Sequence, residues 1–133
     1  MELEQIGKYK IVGNIGKGAM GEVFRAYDPV LDRDVAIKVV AGKLAEDEGA
    51  RKRFVREAKA AAQLNHPSII TVHDFGEEQG MAFIAMEILD EGDDLKDIIE
   101  RQTPMPLDAK VAIMEQVCDG LAFAHAKGVV HQD

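Results

Sequence analysis

The chain has 133 residues, enough for one compact domain and too short for two ordinary ones. Apolar residues make up 47% and charged residues 30%, the balance of a folded chain rather than a disordered one. The net charge of −8 argues against a general binder of nucleic acid or of anionic membrane, both of which ask for a basic surface.

From Tyr9 to Ile15 apolar and polar residues partly alternate, the period of a half-buried strand. Glycines follow at 16, 18 and 21, and a second strand, Glu22 to Tyr27, ends at the turn signal Asp28-Pro29. Asp34 to Val40 is β-branched and apolar and reads as a third strand. Residues 47 to 64 are rich in Ala, Arg, Lys and Glu and predict a helix stopped by Asn65-His66-Pro67. Ile69 to Phe75 and Met81 to Ile88 read as two further strands, joined as a hairpin through Gly76 to Gly80. Gly92 breaks the pattern. A short helix over Leu95 to Arg101 and a long one over Leu107 to Lys127, opened by Asp108, complete the series. Five strands with one inserted helix, then helices alone, predict an α+β lobe followed by the start of an α-helical one.

The run Gly16-Lys17-Gly18-Ala19-Met20-Gly21 fits G-x-G-x-x-G, in which glycines let backbone amides approach phosphate oxygens with no Cβ in the way. The same letters serve dinucleotide-binding folds or a plain flexible turn. A dinucleotide turn must open a helix. Here Glu22 to Tyr27 is strand-like, so the glycines join two antiparallel strands and form a flap over a ligand.

Val35-Ala36-Ile37-Lys38 comes next, with Ala36 and Lys38 on one face of the strand. A lysine inside an apolar strand asks for a counter-charge, or snorkels to water at an edge. On the helix, with Phe54 at zero and about 100° per residue, Ala58, Ala61 and Leu64 form one apolar arc. Glu57 falls inside that arc, while Arg56, Lys59 and Gln63 lie opposite. A carboxylate on a buried stripe calls for a cation, and Lys38 is the natural candidate.

With these residues in view, the sequence resembles the protein kinase family, in particular the bacterial, eukaryotic-like serine/threonine kinases. Gly16 to Val23 matches the family's G-x-G-x-x-G-x-V, Val35 to Lys38 its V-A-I-K, and Glu57 the glutamate of its first helix. Leu64-Asn65-His66-Pro67-Ser68-Ile69-Ile70 is similar to its helix-to-strand passage, and Met86 to Gly92 to its gatekeeper and hinge. Val129-Val130-His131-Gln132-Asp133 resembles the run into its catalytic loop. The likeness runs from about Tyr9 to Asp133, with residues 9–88 as N-lobe and hinge and 89–133 as the start of a C-lobe. It implies a five-stranded antiparallel sheet with one helix, and transfer of the ATP γ-phosphate to a protein hydroxyl, serine or threonine by preference.

The resemblance also implies roles. The amides of Gly16, Lys17, Gly18, Ala19, Met20 and Gly21 would cover the ATP phosphates, and Lys38, held by Glu57, would bind the α- and β-phosphates. Ile15, Val23 and Ala36 would pack on the adenine, and backbone groups of Glu87 and Leu89 would hydrogen-bond it. Met86 would guard the back of the pocket, Asp93 would reach the ribose, and Asp133 would orient the substrate hydroxyl. The family's magnesium ligands lie downstream of that aspartate, so the 133 residues alone are expected to transfer no phosphate.

Gln132 stands where the family usually has arginine. It cannot make a charged pair with a phosphorylated activation loop, so activation of that kind is not expected. Two rival readings stay open: a nucleotide-binding or regulatory remnant without catalysis, and an inert truncation.

Elsewhere the plainer readings serve. Cys118 is the only cysteine, which rules out an internal disulfide and fits a reducing cytosol. Met1 to Lys10 lacks the apolar core of a secretory signal, and no stretch approaches the ~20 apolar residues of a membrane helix. No metal-ligand spacing links the four histidines. On the long helix Val111, Met114, Val117, Cys118, Leu121, Ala122, Ala124 and His125 fill about half the circumference, which predicts core packing for Cys118 and His125.

Overall fold

Among the described residues, six strands and three helices follow in the order β1 (Gln5–Ile6), β2 (Tyr9–Gly18), β3 (Gly21–Asp28), β4 (Arg33–Val40), α1 (Glu48–Ala62), β5 (Val72–Glu78), β6 (Met81–Met86), α2 (Leu95–Glu100) and α3 (Leu107–Ala126). The computed structural model describes residues 4–18, 21–40, 46–78, 80–89 and 95–129. Among them the chain forms two compact units. A sheet unit holds the residues up to 65 together with 70–88, and a helical unit holds 66–69 with those from 89 onward.

The strands form one antiparallel sheet in the order β1-β2-β3-β4-β6-β5. The predicted strands are all present, and one more stands at the edge. β1 is two residues long and returns into β2 through Gly7, at φ 55. A strand so short carries no alternation to read.

The sheet curls, and its concave face encloses the core. Ile6, Tyr9, Ala26, Val35, Ile37, Val39, Phe83 and Ala85 are buried together, with Ile11, Phe24 and Met81 packed beside them. Tyr9 and Phe83 meet edge to face with centroids 6.1 Å apart. The Tyr9 hydroxyl donates to Asp74 Oδ2 at 2.9 Å, tying β2 to β5 across the curl. Burial, and then this bond, push the Tyr9 phenol well above its ordinary value. Gly76, expected in the hairpin loop, lies within β5 beneath the Phe83 ring. A Cβ there would come within 2.8 Å of the ring, so the glycine serves close packing and the turn falls further on, at Gly80.

At the outer hairpin, Asp28 is buried and its Oδ1 accepts from the amides of Val30 and Leu31. Burial opposes its ionisation, but those two amides, with Lys8 and Arg33, outweigh it and hold the carboxyl below its usual value.

α1 begins at Asp47, whose side chain accepts from the amides of Gly49 and Ala50. It packs on β5 and β6 through Ala58, the Phe54–Phe75 ring pair and the Arg51–Glu77 ion pair at 2.7 Å.

In the helical unit, α3 starts at Leu107 as expected, with Pro106 rather than Asp108 at its cap, and packs Gly120 against Ser68 and Ile69, where a Cβ would come within 3.2 Å of Ser68. Phe123 meets His66, whose Nδ1 also accepts from the Ser68 amide. The helix stops in a left-handed Gly128, with the Val129 amide returning to Ala124 and the Gly128 amide to His125. Cys118 and His125 are exposed, contrary to the packing expected of them, because within this unit α3 buries only the side that carries Gly120 and Ala124.

Candidate functional site

The register of the sheet divides the strand residues into two faces. Opposite residues of an antiparallel pair share a face, and alternate residues of a strand return to it. Val35, Ile37 and Val39 of β4 point into the core. Ala36 and Lys38 therefore share the other face. Val23 lies opposite Lys38 on β3, Ile84 opposite Lys38 on β6, and Met86 opposite Ala36. Gly16 of β2 lies opposite Val23. Gly16, Val23, Ala36, Lys38 and Met86, picked out separately along the sequence, thus form one contiguous patch with Ile84.

The named residues of the patch are apolar apart from Lys38, and Arg25, opposite Ala36 on the same face, pairs with Asp34 at 2.9 Å. Ala36 is the small residue beside Lys38 and is 7% exposed, whereas Val23, Lys38, Ile84 and Met86 are half-buried. The Lys38 ammonium makes no ion pair with a described carboxylate. A cation set in an apolar surface with no counter-charge among the described residues suits an anionic ligand.

The glycine ribbon borders this patch, and its two ends use glycine differently. At Gly21 φ is 139, and a Cβ would lie 2.0 Å from the Val39 carbonyl oxygen, so only glycine fits. At Gly16 a Cβ would meet nothing within 4 Å. The fold does not need a glycine there, and the open space fits a phosphate group approaching the backbone. Ile15 is the extra residue of a bulge between Asn14 and Gly16, which leaves it 53% exposed. Asn14 Nδ2 donates to Glu22 Oε2 at 2.8 Å across the ribbon, and Lys17 pairs with Glu22 at 3.8 Å. Neither Asn14 nor Glu22 was singled out by the sequence. The available signal was a pair of complementary polar residues flanking the glycines across a hairpin.

Glu57 does not join the patch. It is exposed and makes no ion pair with Lys38. The helical arc read from the sequence included Leu64, which drew its centre toward Glu57. In the structure the helix ends at Ala62 and Leu64 lies beyond its cap. The buried stripe is centred on Ala58, with Arg51 and Phe54, and Glu57 stands about 100° round from Ala58.

Directly after β6, the Glu87 amide donates to the Thr71 carbonyl at 2.8 Å, and Glu87 Oε1 accepts from the Thr71 amide at 3.1 Å. Nearby, burial and then Arg33 hold the His73 imidazole below its usual value, against the opposing pull of Glu87 and Asp28. Leu89, in the helical unit, is exposed. Ala19, Met20, Asp93 and Asp133, together with His131 and Gln132, lie outside the described residues.

Comparison with known proteins gives a consistent result. The family model described as "Protein kinase domain" matches residues 9–133. The chain is 47% identical over 127 residues to the serine/threonine-protein kinase pkn3 of Myxococcus xanthus, covering 95% of this chain and 23% of that protein. It is 41% identical to the serine/threonine-protein kinase PrkC of Bacillus subtilis, covering 96% of this chain and 19% of that one. Among solved structures it is similar to the PknI kinase domain of Mycobacterium tuberculosis, with a TM-score of 0.81 and 34% identity over all of this chain and 55% of the other. The chain thus spans about a quarter or less of these curated relatives and just over half of that kinase domain. On the match of the family model and the identity to these bacterial kinases, the chain belongs to the protein kinase family.

Proposed function

We propose that this chain supplies the nucleotide-holding part of a serine/threonine protein kinase, which transfers the γ-phosphate of ATP to a protein hydroxyl. The observation that carries the reading is the shared sheet face of Val23, Ala36, Lys38 and Met86, with Gly16 opening space at its border. In this reading Lys38 offers its charge to the α- and β-phosphates, and the amides of the glycine ribbon offer hydrogen bonds to phosphate oxygens. Ile15, Val23 and Ala36 take the flat apolar base. Backbone groups of Glu87 and Leu89 read its edge, Met86 limits its depth, and Asp93 takes the ribose. Asp133 serves as the residue that orients the substrate hydroxyl. Magnesium, held by groups that the family places downstream, supplies countercharge to the phosphates. The relatives named as serine/threonine kinases support that substrate class.

The lack of an ion pair between Lys38 and the exposed Glu57 favours a second reading, a domain that binds nucleotide without transferring phosphate. Calorimetric titration of the 133-residue chain with ATP, beside radiolabelled phosphate transfer to a generic protein acceptor, separates the two. Saturable binding that weakens at least about tenfold in Lys38→Met is expected, since a desolvated charge contact of this kind weighs at least about 1.4 kcal/mol. No transfer is expected from this chain alone. Absence of saturable ATP binding would sink both readings. Turnover that disappears in Lys38→Met would show that these residues suffice for catalysis.

A further inference from the structure

The end of the β5–β6 ladder is irregular in one respect. Continuing the register from the Val72–Met86 pair places Thr71 opposite Glu87. In a regular antiparallel ladder two such residues exchange both backbone bonds, each amide donating to the other's carbonyl. Half of that exchange is present, because the Glu87 amide donates to the Thr71 carbonyl at 2.8 Å. The return bond is not made to the Glu87 carbonyl. The Thr71 amide donates instead to the Glu87 side chain, with Oε1 at 3.1 Å. A carboxylate has replaced a backbone acceptor, and the Glu87 carbonyl is left out of the ladder.

The replacement has a chemical use. Backbone carbonyls rarely stay without a donor, so one excluded from a ladder is available to something else. Glu87 directly follows Met86, the last residue of β6 on the face shared with Ala36 and Lys38. We infer that the Glu87 carboxylate is a positioning group. By occupying the Thr71 amide it keeps the Glu87 carbonyl free to accept from the exocyclic amino group of a purine base. Without the carboxylate, the Thr71 amide turns to the carbonyl of residue 87, the ladder gains one regular pair, and the acceptor is lost to the ligand. The inference rests on the nucleotide-binding reading above and adds a role for the side chain, which that reading does not use.

Three ligands test it on the whole 133-residue chain: ATP, a purine riboside triphosphate lacking the 6-amino group, and inorganic tripolyphosphate. In the wild type the amino group is expected to favour ATP about fivefold over the purine analogue, the weight of one ordinary hydrogen bond. In Glu87→Ala and in Glu87→Met, which keeps the length of the side chain but has no oxygen acceptor, that ratio should fall to about one while tripolyphosphate affinity holds. Glu87→Gln retains an acceptor oxygen and should retain the preference. A role confined to stability would lower the melting temperature and leave the ratio alone. A fivefold preference that persists in both Glu87→Ala and Glu87→Met would therefore overturn the inference and leave nucleotide binding intact. No ATP binding by the wild type would overturn the nucleotide reading, and this inference with it.

Discussion

One strand, β4, serves two surfaces with opposite requirements. Val35, Ile37 and Val39 are at most 2% exposed and packed among Tyr9, Phe83 and Ala85. Ala36 and Lys38, interleaved with them, stand on a surface where a small residue and a cation with no ion pair among the described residues adjoin Val23 and Met86. The first set has its partners within the fold. The second has partners on one side only and a charge that no described carboxylate answers. Stability and ligand chemistry are therefore separated by parity along a single strand, and substitutions on the two faces should separate in the same way.

The sharpest break comes from the core face. Ile37→Ala removes a fully buried side chain and should cost about 3 kcal/mol in chemical denaturation. Where the variant remains folded, its ATP affinity should stay within about twofold of the wild type, as expected for sites that do not share contacts. A variant of full stability would mean that this side of the sheet is not the core.

The glycines sharpen the contrast within one hairpin. Gly21→Ala forces a Cβ against the Val39 carbonyl at a φ that L-residues avoid, and should cost roughly 2 kcal/mol. Gly16→Ala meets nothing and should change stability by less than about 0.5 kcal/mol. Its effect should appear in nucleotide affinity instead. Equal melting curves for the two variants would dissolve the distinction between a glycine kept for the fold and one kept for a ligand.

A smaller effect tests the closure of the curl. Tyr9→Phe removes the bond to Asp74 and should cost about 1 kcal/mol at neutral pH. The phenol is raised in the folded state by burial and by Asp74, so the unfolded chain loses this proton first. The stability linked to Tyr9 is then fully present below about pH 10, the ordinary tyrosine value, and declines above it. In Tyr9→Phe that part of the alkaline decline should be missing. Parallel alkaline profiles for the two proteins would contradict a raised Tyr9.

Most of the architecture could be read from the residues. The β-branched, apolar run from Asp34 to Val40 marked β4, Asn65-His66-Pro67 marked the end of the first helix, and the strand-like run after Gly21 distinguished a flap from a helix-opening turn. The strand period also put Ala36 and Lys38 on one face, and the register adds Val23 opposite Lys38. What escaped depended on neighbours that a linear reading does not contain. Gly76 looked like turn chemistry because nothing in the sequence places the Phe83 ring over it. Glu57 looked inward because Leu64 was counted on a helix that ends two residues earlier. The exchange at Glu87 is invisible without the register, since it concerns which of two oxygens receives one amide.

The bulges of β2 carry a last implication. From Lys10 to Lys17 the strand uses eight residues where its partner, from Tyr27 to Glu22, uses six, and the two in excess are Val12 and Ile15. A ribbon with one edge longer than the other cannot lie straight, just as the outer rail of a bend is longer than the inner. The curvature of the arm that carries the glycines is thus encoded as chain length rather than as side-chain chemistry. Exchanging either residue for another would keep the bend. Removing one would begin to straighten it.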